Sequence, residues 1–299
     1  MKTTEIAESG VQALFAQPDG DGPWPAVVAF GGSSGGLGPS GGWAAALAAE
    51  GFATLAVGYF GAPGLPAALR EIEVEVVERG VAWLFDHDYV AGDTVAVMGI
   101  SRGSELALLA GALLDRVGPV VAFAPSGISW SALGPAGPMD APAWTFRGKP
   151  IPYATTPDPA ALGLQMNPSL GEPFALRPIF EAGLAEPTRW CDAEIAVEDV
   201  KGPILLVSGE ADAMWPSTPM GRLIEQRATG RGLAHPVVHL HYPNAGHTGA
   251  GVPDFPGETE VLHPVTGMAY ALGGTPDGNA AARADSWPRV IEFLRAALA

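Results

Sequence analysis

Only one cysteine occurs in the chain, Cys191, which excludes an intramolecular disulfide and any metal site built from several cysteines. Basic residues are scarce as well. Lys and Arg number 16 against 32 Asp and Glu, a formal net charge of -16, and no basic run interrupts the acidity. Nucleic acid and anionic membrane surfaces are poor partners for such a field, and its simplest use is solubility. No apolar run reaches the roughly 18 residues of a membrane helix, and Met1–Glu8 is too polar for a secretory signal. A cytoplasmic protein with no membrane attachment is the default expectation. No stretch resembles a linker long enough to separate a pair of domains. The expectation is therefore one domain over 1–299, and at 47% hydrophobic content it can bury a substantial core. Nothing in the sequence bears on oligomeric state.

Glycine, in contrast, is abundant at 40 residues, so the pattern G-x-S-x-G alone is weak and matches three times. Two overlapping matches, at 31–35 and 32–36, follow the apolar run Ala26–Phe30. The next residues, Leu37-Gly38-Pro39-Ser40-Gly41-Gly42, do not read as the opening of a helix. The third match is Gly99-Ile100-Ser101-Arg102-Gly103. It ends the apolar run Val95–Met98 and leads directly into helix-like Ser104-Glu105-Leu106-Ala107-Leu108-Leu109. A strand, a sharp glycine-flanked turn and a helix together push the serine above the sheet edge, which is the arrangement of a nucleophile elbow.

Strand-like and helix-like segments alternate through the first 125 residues. Val11–Ala16, Ala26–Phe30, Ala53–Tyr59, Thr94–Ile100 and Pro119–Pro125 read as strands; Trp43–Glu50, Leu65–Asp86 and the segment from Ser101 to about Arg116 read as helices. Such alternation predicts an α/β fold, a mostly parallel, doubly wound sheet covered on both faces. Between 127 and 199 the alternation stops, and proline, glycine and aromatic residues dominate. An insertion of that length between two strands is expected to form a cap over a pocket at the carboxyl edge of the sheet. Its Trp130 and Trp144, with Trp215 farther on, are the expected substrate contacts. Phe146 and Trp190 add to the apolar character, unless these rings only pack the cap onto the sheet.

The strand pattern resumes at Pro203–Gly209 and is followed by Glu210-Ala211-Asp212. Of the two acids, Asp212 is the better candidate to orient a histidine, because Glu210 lies closer to the strand end. Val237–Tyr242 reads as a further strand, with His247 on the glycine-containing turn beyond it. A histidine on such a turn can reach Ser101, whereas His239 and His241 share one face of the strand. His87 reads as structural, and His263 as structural or lining the site. Cys191, beside Asp192 and far from the elbow in sequence, reads as structural too. The order Ser101, Asp212, His247 is that of α/β-hydrolases. In this reading His247 removes the proton of Ser101, Asp212 fixes the histidine tautomer, and the serine attacks an acyl carbonyl. Oxyanion donors would be the backbone N–H of Arg102 and that of Gly32 or Ser33 in the first glycine-rich loop. That loop lacks both the Walker ending and G-x-G-x-x-G spacing.

Several segments resemble the acyl-CoA thioester hydrolase and bile acid-CoA:amino acid N-acyltransferase family. They are Phe30-Gly31-Gly32, Ala56–Phe60, Met98–Glu105, Asp212 with Trp215, Gly246-His247, Gly273-Gly274-Thr275-Pro276, and Ala281–Trp287 leading into a terminal helix. The resemblance runs from about Pro23 to the end and is weakest over 127–199. It implies an α/β-hydrolase catalytic domain without the N-terminal β-sandwich of longer members, acting without metal or cofactor on a small-molecule acyl ester or thioester. Transferases of that family carry cysteine at the position of Ser101 and thioesterases carry serine, so the resemblance favours hydrolysis. An acyltransferase and a non-catalytic binding protein on the same scaffold remain the alternatives. Against a CoA ester stands the thin scatter of arginines, since such a polyanion needs a local basic patch.

Overall fold

Five apolar runs without a polar face can be satisfied only as strands covered on both sides. In the computed structural model, which describes residues 1–164, 172–255 and 257–299, they form the centre of an eight-stranded sheet. Its strands are β1 (Lys2–Glu8), β2 (Val11–Gln17), β3 (Ala26–Phe30), β4 (Ala53–Gly58), β5 (Val95–Ile100), β6 (Val117–Phe123), β7 (Ile204–Gly209) and β8 (Val237–Tyr242). The spatial order is β1-β2-β4-β3-β5-β6-β7-β8. β1 and β2 pair antiparallel, as do β2 and β4, and every later pairing is parallel. All residues of β3 to β7 are buried.

Side chains alternate across this sheet into two cores. Val28, Leu55, Val97, Val120 and Leu206 meet α2 (Glu75–Asp86), α3 (Arg102–Leu113) and α5 (Ser217–Arg231) on one face. Val27, Ala29, Met98, Val121 and Leu205 meet α1 (Gly38–Ala49) and α6 (Pro276–Ala297) on the other. The expected α/β-hydrolase architecture is therefore present, with the crossover helices on both faces.

The segment 127–199 has more regular structure than its composition suggests. A hairpin pairs Ser131–Gly134 with Gly137–Pro142, and Trp144–Phe146 runs parallel to Ile72–Glu73. Helix α4 spans Arg177–Leu184; residues 165–171 lie outside the described residues. A staple holds the end of this segment to the body, where Arg227 of α5 reaches Glu198 at 2.7 Å and Glu194 at 3.1 Å.

Three sequence expectations need correction. Helix α1 begins at Gly38 rather than Trp43, because Pro39 sits in its first turn, where a missing N–H costs nothing. The helix expected over 65–86 starts only at Glu75. Upstream, Leu69 exchanges backbone hydrogen bonds with Leu133, and Ile72 and Val74 donate to Ala143 and Thr145, so pairing with the cap overrides helical periodicity. β1 was not legible, since an edge strand with one buried residue, Ile6, has no apolar alternation. Among the described residues no helix is long and apolar enough to cross a membrane.

Helix α6 is held by Trp287, Val290, Ile291 and Leu294 in the second core, Leu294 with no exposed surface. Leu294→Ala should lower unfolding free energy by about 3 kcal/mol through cavity formation, measured by urea denaturation.

Candidate active site

The elbow sits where β5 leaves the middle of the sheet. Ser101 has φ 57° and ψ −124°, a left-handed conformation that a serine adopts at a cost of about 1–3 kcal/mol. Three hydrogen bonds hold it there. Its N–H donates to Phe123 O at 3.0 Å, and its carbonyl accepts from Ser104 N–H and from Ser104 Oγ, at 2.8 and 2.6 Å. The turn closes because two positions lack a side chain. A Cβ on Gly99 would lie 2.0 Å from Gly103 O, and one on Gly103 would lie 2.2 Å from Gly31 O. The flanking glycines of the motif are thus contact points between backbones, and they draw the early glycine-rich loop against the elbow.

Asp212 follows β7 and His247 follows β8. His247 Nδ1 donates to Asp212 Oδ2 at 2.9 Å, while Asp212 Oδ1 accepts the N–H groups of Met214 and Trp215 at 2.9 and 3.2 Å. The carboxylate is fully buried and pinned on both oxygens, so it fixes the ring and leaves Nε2 as the acceptor. His247 is set by its own N–H, which donates to Leu272 O at 2.9 Å, and its ring meets Trp215 edge-on at 5.8 Å between centroids. Among the described residues no hydrogen bond joins Ser101 Oγ to another side chain.

Both loops are clamped by Gly273 and Gly274, which the sequence offered only as part of a resemblance. Gly273 bridges to Asp212 and Gly274 to Ala245. Gly273 has φ 76°, and a Cβ there would stand 2.1 Å from Ala211 O. Behind them Asn279 Oδ1 accepts the Gly246 N–H at 2.7 Å. A glycine pair outside any strand pattern was the available signal.

Ser101, Arg102, Ser33, Trp130 and Trp215 line one cavity of about 300 Å³, together with Phe180, which the sequence did not single out as a contact. Trp144 does not reach it. Its ring is wholly buried against Tyr59, and its Nε1 donates to Glu105 Oε2 at 2.8 Å, so Trp144 is a prop beneath the cap. Neither Phe146 nor Trp190 lines the cavity. Gly32 lies beside the nucleophile, its missing Cβ 3.8 Å from Ser101 Oγ. Among the described residues the backbone N–H groups of Gly32, Ser33 and Arg102 have no acceptor. Glu210 is engaged at the surface with His241, and His87 with Trp83 O. Cys191 is exposed on the cap rather than packed. Among the described residues no cluster of three or more His, Cys, Asp or Glu could hold a metal.

Hydrogen bonds alone would nominate another trio. Ser208 Oγ lies 2.8 Å from His239 Nε2, and His239 Nδ1 lies 2.9 Å from Glu225 Oε2. Ser208, however, is a mid-sheet residue of β7, 2% exposed and also bonded to Thr218, so no carbonyl can approach it. Burial holds the His239 ring below the ordinary histidine range.

Below the elbow lies a buried charge pair. Arg102 Nη2 donates to the carbonyls of Trp130 and Ser131 at 2.7 and 3.1 Å, and its Nη1 is 3.1 Å from Glu105 Oε1. Burial pushes the Glu105 carboxyl up to about 7, with Arg102 opposing the rise. Between 4.5 and about 7 the folded chain keeps a proton that the unfolded chain releases, so this site loses stability as pH rises. Accordingly, the urea midpoint of the wild type should fall between pH 5 and 7.5 by more than that of Glu105→Gln. Gly273→Ala should cut kcat by about 10- to 100-fold through displacement of the loops that carry Asp212 and His247, read in steady-state kinetics.

Comparison with known proteins places this geometry. The family model described as BAAT / Acyl-CoA thioester hydrolase C terminal matches residues 72–133 and 177–299. A mouse peroxisomal succinyl-coenzyme A thioesterase is 27% identical over 98% of this chain, and mouse acyl-coenzyme A thioesterase 6 is 28% identical over 99%. The chain spans 65% of the length of each of these relatives. Among solved structures, a candidate dienelactone hydrolase of Klebsiella pneumoniae superposes with a TM-score of 0.58 at 15% identity, covering 98% of this chain and 97% of its own. An esterase of Pyrococcus furiosus gives 0.51 at 15%, covering 100% and 93%. These likenesses show the α/β-hydrolase fold, and the residues matched by the family model include Ser101, Asp212, His247, Gly273 and Gly274. The chain belongs to the BAAT / acyl-CoA thioester hydrolase family.

Proposed function

We propose that the protein is a serine hydrolase that cleaves an acyl thioester or carboxylic ester through an acyl-Ser101 intermediate. The observation that carries this reading is the strained Ser101 opening onto a largely apolar cavity whose wall, Trp215, backs onto the oriented Asp212–His247 pair. His247 Nε2 takes the Ser101 proton as Oγ attacks the acyl carbon. The oxyanion is met by the N–H of Arg102 and by the loop at Gly32 and Ser33. Collapse expels a thiolate or alkoxide, which receives the proton from the imidazolium, and water then repeats the sequence to free the acid.

Charge and size divide the substrate between inside and outside. Among the described residues Arg102 is the one basic residue on the cavity wall, and its guanidinium is committed to Trp130 O, Ser131 O and Glu105. The cavity therefore suits the acyl part, at the lower end of ligand-pocket volumes, and a phosphate-bearing leaving group would lie beyond the mouth.

The test is hydrolysis of short- and long-chain acyl-CoA thioesters beside p-nitrophenyl esters. Ser101→Ala should lower kcat by at least about 10⁴-fold on whichever class is turned over. Preference for CoA thioesters would establish thioesterase chemistry, and turnover of esters alone a carboxylesterase. Activity that survives Ser101→Ala would sink the acyl-enzyme reading.

A further inference from the structure

A further serine–histidine pair has its serine side chain on the wall of the same cavity and has no role in the chemistry described so far. Ser33 Oγ lies 3.0 Å from His263 Nε2, and Ser33 lines the cavity alongside Ser101. The loop carrying Ser33 is held rigidly. The buried Tyr59 hydroxyl donates to Gly31 O at 2.7 Å and stands 3.2 Å from Gly32 O, while Gly31 O also packs on Gly103 of the elbow.

Two roles are open to such a pair, and the tautomer separates them. If His263 Nε2 were unprotonated, it could draw the proton from Ser33 and make a second nucleophile. But His263 Nδ1 accepts the Thr266 N–H at 3.3 Å, and a neutral imidazole whose Nδ1 accepts carries its hydrogen on Nε2. Nε2 then donates to Ser33 Oγ and cannot serve as its base. A hydroxyl oxygen occupied as an acceptor keeps its own hydrogen free to rotate, and among the described residues Ser33 Oγ has no other partner. His263 is itself fixed: its N–H donates to Met268 O at 2.8 Å, its carbonyl accepts from Gly267 at 2.8 Å, and its ring meets Tyr270 edge-on. At 4% exposure its ring is held below the ordinary histidine range by burial, which keeps it neutral.

We propose that the Ser33 side-chain hydroxyl is a catalytic donor to the acyl carbonyl oxygen as it becomes an oxyanion, and that His263 is its positioning residue. The inference rests on the acyl-Ser101 reading and adds a side-chain donor to its backbone donors. No atom is transferred, because the Ser33 hydrogen stays on Ser33 throughout. What changes along the reaction is the charge on the oxygen it faces, so the contact stabilises the transition state more than bound substrate.

Labelling with a fluorophosphonate probe, located by peptide mass spectrometry, first fixes the nucleophile. Without a label on Ser101, and with full turnover in Ser101→Ala, the acyl-enzyme reading fails and this inference goes with it. With Ser101 labelled, Ser33→Ala should lower kcat by about 10²-fold, the effect of removing one oxyanion donor, and move KM by less than about threefold. Ser33→Thr, which keeps the hydroxyl, should restore kcat to within about tenfold of wild type. Should Ser33→Ala fail to fold, Ser33→Cys supplies the same loss with the volume kept. His263→Leu should cost at least about tenfold in the wild type and less than about threefold in a Ser33→Ala background. A kcat for Ser33→Ala or Ser33→Cys within about threefold of wild type overturns the donor role while leaving acyl-Ser101 intact. Full additivity of the two changes overturns the positioning role of His263.

Discussion

One constraint governs the rest of this structure: main chain must touch main chain where β5 turns into α3. Gly99, Gly103 and Gly31 meet there with no room for a single extra carbon, and that contact holds Ser101 in its left-handed conformation. The same contact sets the first glycine-rich loop beside Ser101, where among the described residues the N–H groups of Gly32 and Ser33 have no acceptor. Nucleophile and candidate oxyanion donors are thereby placed by backbone geometry, which tolerates less drift than flexible side chains. The strain at Ser101 is sustained because the surrounding strands and α3 are buried almost completely.

Carboxylates at the site are engaged, and Asp158 on the cavity wall accepts the Ala160 N–H. Asp212 and Glu105 are the buried carboxylates of this region, and each is engaged, Asp212 by two backbone N–H groups and His247, Glu105 by Trp144, Trp130 and Arg102. Arg102 does two things at once, since its backbone begins α3 behind the nucleophile and its guanidinium grips two carbonyls of the cap. Cap and elbow are therefore joined through the side chains of Arg102 and Glu105.

Much of this was legible in the sequence, for reasons that differ by residue. Ser101 was readable because strand, turn and helix patterns adjoin it; Asp212 and His247 because each follows a strand; and the central strands because burial on both faces leaves no polar positions. What was not legible depended on partners remote in sequence. Leu69 and Ile72 have helical spacing yet pair with Leu133 and the chain around Trp144. Trp144 looks like a substrate contact until its indole is seen on Glu105. His263 could be noted as near the site, but its tautomer depends on Thr266 and its partner on a serine 230 positions away.

The Gly273–Gly274 clamp has a consequence for how the molecule comes into being. Ser101 and its elbow can form from the first half of the chain, but the turn carrying His247 is secured in part by later residues, among them Leu272 to Asn279 and Arg283. During synthesis on the ribosome, Ser101 is made before the peptide that steadies His247. A nascent chain would thus hold the elbow before the Asp212–His247 pair has its supporting contacts.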